Sequence, residues 1–153
     1  MAIEAPVSKF TKTNLKIYII LCIAVAAWFA YDGYFNKKFI ENNTEDDGAP
    51  NITLIINQKA PPFLAAAGVF FGVYLFVVKS RKLIADENEL IFSAKEKIPY
   101  DSIEAINKTY FEKKGFFVIT HKDERVNEID RKISDRKYDN LAAILDHLVA
   151  KIS

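Results

Sequence analysis

Residues 60–78 read APPFLAAAGVFFGVYLFVV, and together with residues 17–31, IYIILCIAVAAWFAY, they decide the fold of this 153-residue chain. The later stretch has 19 uncharged residues, which matches the roughly 20 that a helix needs to cross a bilayer. The earlier stretch reaches a similar length if it continues to Phe35. We therefore predict transmembrane helices at residues 16–35 and 61–79, with the second one starting at a proline pair that suits a first helical turn.

Two other interpretations of the first stretch stay open. A cleaved signal peptide would use Lys9, Lys12 and Lys16 as its charged region and residues 24–26, AVA, as its cleavage site. Cleavage there leaves an apolar core of only residues 17–23. A buried helical hairpin in a protein outside the membrane is the other alternative.

Basic residues predict the topology. Lys79, Arg81 and Lys82 follow the second stretch as a tight cluster, and such clusters favour the cytoplasmic side. We expect an integral membrane protein with both termini in the cytoplasm. Residues 1–15 would then be a cytoplasmic segment and residues 36–60 an external loop, in which ITLII at residues 52–56 predicts a short β-strand.

Small residues in the second stretch predict helix packing. Gly68 and Gly72 form a GxxxG pattern, and Ala65 extends it by one turn. Small residues at this spacing let two helix backbones approach closely in lipid. The neighbour is either the other helix of the same hairpin or another subunit.

Residues 80–153 have the composition of a separate α+β domain. Residues 82–86 and 89–93 predict a strand pair around a tight turn, and residues 116–121 predict a buried strand. Apolar residues then recur at helical spacing, which predicts an amphipathic closing helix with Ser134 as its N-cap. The stripe comprises Tyr138, Leu141, Ala142, Leu145, Leu148, Val149 and Ile152.

The run KLIADENELIFSAKEKIPYDSIEAI at residues 82–106, then FFVIT, then the closing helix, resembles bacterial pleckstrin-homology-like domains. The resemblance covers residues 80–152. It implies a PH-like, partly open β-barrel that the C-terminal helix caps, anchored here in the bacterial inner membrane by a two-helix transmembrane hairpin. Trp28 is the only tryptophan, so the closing helix lacks the tryptophan that marks many eukaryotic members, and headgroup recognition does not carry over.

Composition limits the chemistry. A single cysteine excludes an internal disulfide framework and multi-cysteine zinc sites. A net charge of +1 argues against nucleic-acid binding. His121 and His147 have no further cysteine or histidine at metal-ligand spacing. We therefore predict a non-catalytic protein with no cofactor, no metal site and no nucleic-acid partner.

The function that these features favour is an accessory, assembly or scaffold subunit of a larger membrane protein complex, and homo-oligomers fit the same packing surfaces. Candidate partner contacts are Tyr110, Phe111, Phe116 and Phe117, of which at least two should belong to the core. The alternative is a module that responds to anionic membrane lipid through basic residues. Its candidate contacts are Lys79, Arg81, Lys82, Lys113, Lys114, Arg131 and Lys132.

Overall fold

The computed structural model describes residues 2–123 and 125–152, and the chain divides into two compact units. The sheet unit comprises Met1–Lys12 and Val77–Ser153, and the helical unit comprises Thr13–Phe76. The predicted α+β class with two long apolar helices is confirmed at this level.

The helical unit is built on α1 (Lys9–Tyr34) and α3 (Ile52–Val78), with the short α2 (Lys37–Asn42) between them. Both long helices are long and apolar enough to cross a membrane, by length and composition. Large side chains stay uncovered within the chain: Trp28 is 64% exposed and Phe63 is 76% exposed. A helix that is apolar on all sides is typical of a core or of a membrane span.

The predicted strand at residues 52–56 was wrong, because these residues form the first turns of α3. The Asn51 side chain accepts a hydrogen bond from the Leu54 amide at 3.0 Å, and its carbonyl accepts from the Ile55 amide. This cap starts the helix nine residues before the predicted position. Pro61 and Pro62 therefore lie inside the helix rather than at its start.

The proline pair shapes the contact between α1 and α3. A proline removes the hydrogen bond to the carbonyl four residues earlier, which frees the carbonyls of Asn57 and Gln58. The Tyr34 hydroxyl donates to the Gln58 backbone carbonyl at 2.7 Å, and the side-chain amide Nε2 of Gln58 donates to the Gly33 carbonyl at 3.0 Å. A Cβ atom at Gly33 would lie 2.8 Å from the Asn57 carbonyl oxygen. The two helices are thus tied together at Gly33, where only a glycine fits.

The sheet unit contains two antiparallel sheets, in the orders β1-β2-β3-β4 and β5-β6-β7. Short α4 (Phe111–Lys114) precedes β6, and α5 (Leu141–Ile152) closes the chain. The strands are β1 (Ile3–Pro6), β2 (Lys82–Ala85), β3 (Glu89–Ser93), β4 (Glu96–Pro99), β5 (Ile103–Asn107), β6 (Phe116–Lys122) and β7 (Glu128–Ser134). The predicted hairpin at residues 82–93 and the predicted strand at 116–121 are confirmed.

The N-terminal segment is part of this unit, which the sequence did not predict. In β1, Ile3 lies opposite Ala85 and Pro6 lies opposite Lys82 of β2. The four residues IEAP are too short for an alternating pattern, and a proline lowers the strand prediction further. The long helices are therefore inserted between two neighbouring strands, rather than placed ahead of a domain that begins at residue 80.

The core joins both sheets to α5. Leu83, Leu90, Phe117, Ile144 and Leu148 are fully buried in one cluster. Leu141, Leu145 and Leu148 of the predicted stripe are buried, whereas Ala142 is exposed and Ile144, outside that stripe, is buried.

The predicted start of the closing helix at Ser134 was wrong. Ser134 ends β7, and α5 begins at Leu141. Between them Tyr138 forms a β-bridge with Val7. Asn140 then has a φ of +61°, a left-handed conformation that an α-helix cannot include.

Candidate functional site

The candidate site surrounds the point where α1 leaves the sheet unit. Ser8 is buried, and its hydroxyl donates to the Arg136 carbonyl and accepts from the Thr11 amide at 3.1 Å. The Lys9 amide donates to the Asp139 carboxylate at 3.1 Å. A hydroxyl N-cap and a carboxylate together satisfy the free amides of a first helical turn. The start of α1 is therefore fixed to the 134–139 loop.

The returning chain lies beside the same segment. The Val7 amide donates to the Arg81 carbonyl at 3.1 Å, and the Asp139 amide donates to the Pro6 carbonyl at 2.9 Å. The end of β1, the residues after α3 and the loop before α5 therefore meet in one place.

Charge is concentrated around this meeting point. We define the basic end as residues 2–12, 79–82, 110–116 and 134–139, which hold nine lysines and arginines and four acids. The other described residues of the sheet unit hold eight cations and ten acids. The two parts of one unit therefore carry opposite net charge. The nine cations are Lys9, Lys12, Lys79, Arg81, Lys82, Lys113, Lys114, Arg136 and Lys137.

An open cleft of about 610 Å³ crosses the basic end. Its lining includes Phe10, the residues of the short helix α4, among them Lys113 and Lys114, and Arg136. The Arg136 guanidinium lies 5.9 Å from the centre of the Phe10 ring, whose residue is 54% exposed. The cleft thus combines three cations with an accessible aromatic ring.

Three acids also line this cleft, namely Glu112, Asp135 and Asp139. Asp139 is engaged by the Lys9 amide. Asp135 covers Gly115, since a Cβ atom there would lie 1.9 Å from one Asp135 carboxylate oxygen. Gly115 also has a φ of +66°, which favours glycine on its own account. The Asp139 carboxylate therefore accepts a backbone hydrogen bond, whereas Glu112 and Asp135 are exposed beside the three cations.

The predicted partner contacts separate into two pairs. Phe117 is buried and its ring meets that of Phe111 edge-on at 5.8 Å, so this pair belongs to the core. Tyr110 and Phe116 stack at 5.5 Å on the outside. The Lys114 ammonium lies 4.9 Å from the Tyr110 ring centre. Tyr110 and Phe116 are therefore the surface pair, adjoining the cations of the cleft.

The predicted lipid contacts also separate. Lys79, Arg81, Lys82, Lys113 and Lys114 lie at the basic end, where Lys82 pairs with Glu4. Lys132 adjoins it, with its ammonium 3.8 Å from the Phe116 ring centre. Arg131 lies elsewhere, because it forms an ion pair with Glu96 and covers the Phe92 ring at 4.8 Å.

The predicted helix-packing residues do not act alike within the helical unit. Gly68 is buried against α1, where an added Cβ atom would lie 3.5 Å from the Cys22 Cβ atom. Gly72 has nothing within 4 Å of that position, and Ala65 is exposed. Only Gly68 of the three therefore packs inside the hairpin.

Sequence reasoning missed Phe10, Ser8 and Asp139 as parts of this site. Ser8 carried a usable signal, since a serine just ahead of a long apolar helix is a typical N-cap. Phe10 and Asp139 carried none, because their positions depend on the pairing of β1 with β2. Among residues 2–123 and 125–152, no group of three histidine, cysteine, aspartate or glutamate side chains is placed to hold a metal ion.

Comparison with known proteins found no match: no family model, no curated protein and no solved structure is similar to this chain.

Proposed function

We propose that this chain is an integral membrane protein with two spans, α1 and α3, and with both termini in the cytoplasm of a bacterium. The pairing of β1 with β2 supports an even number of crossings, because the chain leaves the sheet unit after one strand and returns before its neighbour. The two crossings would be α1 and α3, which are both long enough to span a membrane.

The distribution of basic residues supports the cytoplasmic side for the sheet unit. Six cations flank the helices on the side of that unit, whereas the other ends of the helices and their connection, residues 36–60, have three, Lys37, Lys38 and Lys59. Short connections rich in lysine and arginine stay in the cytoplasm. The six are Lys9, Lys12, Lys16, Lys79, Arg81 and Lys82.

The sheet unit is, in this proposal, a PH-like domain. Its seven antiparallel strands in groups of four and three, followed by one closing helix over a shared core, support that fold. The transmembrane hairpin would then be an insertion between the first two strands of the domain.

The function that we propose is that of a non-catalytic accessory, assembly or scaffold subunit in a membrane protein complex. One observation carries it: the helices enter and leave the domain between two hydrogen-bonded strands, so the domain is attached at two neighbouring points. A doubly attached domain has little freedom to rotate about its tether. It would present the same surface to every neighbour in the membrane, as a scaffold requires.

The native protein, extracted in mild detergent, tests this proposal by its assembly mass and by the proteins that accompany it. We expect a stable complex with other membrane proteins, much heavier than the 17.4 kDa chain. A single chain or a small homo-oligomer would contradict the proposal.

Matched substitutions in α3 locate the contact. Ala65 and Gly72 are seven residues apart, which places them on one helix face. Ala65 is exposed, and a Cβ atom at Gly72 would have nothing within 4 Å. Gly72→Leu should therefore release the partner. Ala66→Leu on a different exposed face is the control and should keep it.

A second candidate function is a response to anionic lipid headgroups. The charge separation within the sheet unit favours it, since nine of the cations gather where both helices attach. Each lysine or arginine near an anionic surface contributes about 1 kcal/mol.

A further inference from the structure

We propose that β7 is a pairing edge for a second copy of this chain, so that two sheet units join antiparallel through their β7 strands. The inference goes beyond the proposed function. It concerns the sheet unit alone and depends neither on membrane insertion nor on the placement of the helical unit.

β7 is an edge strand without the features that usually prevent edge pairing. It is last in the order β5-β6-β7, and all seven of its residues pair with β6 without a register shift. Short length, prolines and bulges normally protect an edge. The edge strands β1 and β4 have four residues each and end at a proline, and β5 shifts its register between Ile103 and Ala105. Within the described residues, β7 is therefore the longest edge strand and the only regular one.

The hydrogen bonds that flank the pair of β6 and β7 show which backbone groups face outward. The Asp135 amide donates to the Gly115 carbonyl just past one end, and the Asp123 amide donates to the Asn127 carbonyl just past the other. Hydrogen-bonded and non-hydrogen-bonded pairs alternate in an antiparallel ladder. The odd-numbered residues of β7 therefore bond to β6, and the even-numbered ones turn their amides and carbonyls to the free edge.

These outward backbone groups are available for pairing. In the part of the chain that the structure describes, the amides and carbonyls of Glu128, Asp130 and Lys132 have no hydrogen-bond partner on that side. The Ser134 carbonyl is already used, because it accepts from amides of the turn that follows β7. A second β7, paired antiparallel about Arg131, would form about six backbone hydrogen bonds with the first.

Charge complementarity identifies a second copy as the occupant. In an antiparallel pair centred on Arg131, Asp130 of each copy lies opposite Lys132 of the other. Opposite charges directly across two strands are stabilising, and like charges are destabilising. A pair centred on residue 130 or on residue 132 would instead place two aspartates or two lysines opposite each other. The charges of β7 thus favour pairing with itself in one register.

The core-facing side of β7 is compatible with this register. Arg131 would lie opposite Arg131 of the second copy, but each guanidinium already forms an ion pair with Glu96 and covers the Phe92 ring of its own copy. Ile129 is 41% exposed and would lie opposite Ile133 of the second copy. The pairing therefore brings an exposed apolar side chain beside another apolar one.

The test uses the purified full chain in a non-ionic detergent and measures the protein mass per micelle by light scattering over a range of concentrations. Lys132→Asp places aspartates opposite each other across the two strands, and Asp130→Lys does the same with lysines. The double variant D130K/K132D exchanges the two charges and restores both opposite pairs. Lys108→Asp, at an exposed lysine outside β7, is the control. Circular dichroism verifies that each variant keeps the wild-type fold.

We expect the wild-type chain to dimerise. Each single variant should weaken dimerisation at least about ten-fold, because two attractive charge pairs become two repulsive ones. The control and D130K/K132D should stay within about three-fold of the wild type. When the two single variants are mixed, they should form a heterodimer, since the lysines of one strand then face the aspartates of the other.

Hydrogen exchange locates the contact. In the wild-type dimer the amides of Asp130 and Lys132 should exchange slowly, although neither has a backbone partner within its own chain. In the Lys108→Asp control they should stay slow, and in the two single variants the amides at 130 and 132 should exchange fast. The amides of Arg131 and Ile133, which bond to β6, should stay protected throughout.

A wild-type chain that stays monomeric, or a dimer that neither single variant weakens, would overturn the inference. Failure of both the double variant and the mixture to dimerise would overturn it as well. Protection of the outward amides only when another protein is bound would assign the edge to that protein instead. The proteins that accompany the native chain test the proposed function separately, so either proposal can fail without the other.

Discussion

The two units of this protein differ in how far they bury their apolar side chains. In the sheet unit, Leu90 and Phe117 are fully buried between the sheets and α5. In the helical unit, Phe63 and Phe70 are mostly exposed, although that unit is the more apolar one by sequence. Burial in the sheet unit follows from water as the solvent. The exposed rings of the helical unit fit lipid as the solvent, which is the central point of the proposed function.

The largest difference in stability should appear when one aromatic ring is removed from the sheet unit and, for comparison, one from the helical unit. Phe117→Ala leaves a cavity in the core and should lower the free energy of unfolding of the sheet unit by about 3–5 kcal/mol. Phe63→Ala should change stability by less than about 0.5 kcal/mol, because that ring stays in apolar surroundings whether or not the helices pack. Denaturation of the full chain in non-ionic detergent, followed by circular dichroism, measures both. A Phe63→Ala loss as large as that of Phe117→Ala would show that the ring is covered in the native protein.

The next effect is a pH dependence within the sheet unit. Burial, followed by the nearby carboxylates of Asp86 and Glu89, raises the pKa of Tyr100 to about 12. The Tyr100 hydroxyl donates to the Asp86 carbonyl at 2.7 Å. The pKa of Tyr100 in the folded protein lies above the unfolded value of about 10. The contribution of its hydroxyl to the free energy of unfolding is therefore complete below pH 10 and is lost as the pH rises through 12. The loss amounts to about 2–3 kcal/mol.

Tyr100→Phe isolates this contribution, because it removes the ionisable hydroxyl and keeps the ring. The difference in unfolding free energy between wild type and variant should therefore fall steadily between pH 9 and pH 12. A difference that stays constant over this range would contradict the assignment to Tyr100.

The contrast between the units also explains which elements could be predicted from the sequence. The hairpin of β2 and β3, the strand β6 and the apolar stripe of α5 have strong local patterns, and all three are present. These patterns arise because one face of each element packs on a core. The long helices were recognised by composition alone, which requires no tertiary information.

The parts that the sequence did not reveal depend on long-range pairing. β1 is a strand because Ile3 and its neighbours find β2 some eighty residues later in the chain. The early start of α3 depends on Asn51 as a cap, whereas the β-branched residues after it favoured a strand. The basic end combines four segments that are distant in sequence, so its charge surplus is invisible in a net charge of +1.

Within the helical unit, three glycines give a graded series. A Cβ atom at Gly33 would lie 2.8 Å from the backbone of Asn57, so Gly33→Ala should separate the helices at a cost of about 1–3 kcal/mol. At Gly68 the nearest contact would be an ordinary 3.5 Å, and at Gly72 there is open space. Gly72→Ala should therefore stabilise α3 by roughly 0.5–1 kcal/mol through helix propensity.

Unfolding by dodecyl sulfate in mixed micelles, followed by the fluorescence of Trp28, measures this series. The order of stability should be Gly72→Ala above Gly68→Ala above Gly33→Ala. A Gly33→Ala variant as stable as the wild type would show that the close approach of α1 to α3 is not needed for the hairpin.

The smallest effect concerns the carbonyl that Pro62 leaves without its helical donor. Tyr34→Phe removes the hydroxyl that donates to the Gln58 carbonyl and should cost about 0.5–1.5 kcal/mol. Pro62→Ala restores a backbone amide for the same carbonyl, so the cost of Tyr34→Phe should shrink in that background. A double-mutant cycle in the mixed-micelle assay measures this coupling. If Tyr34→Phe costs the same in both backgrounds, the tyrosine and the proline act independently, and the hydroxyl stabilises the hairpin by some other contact.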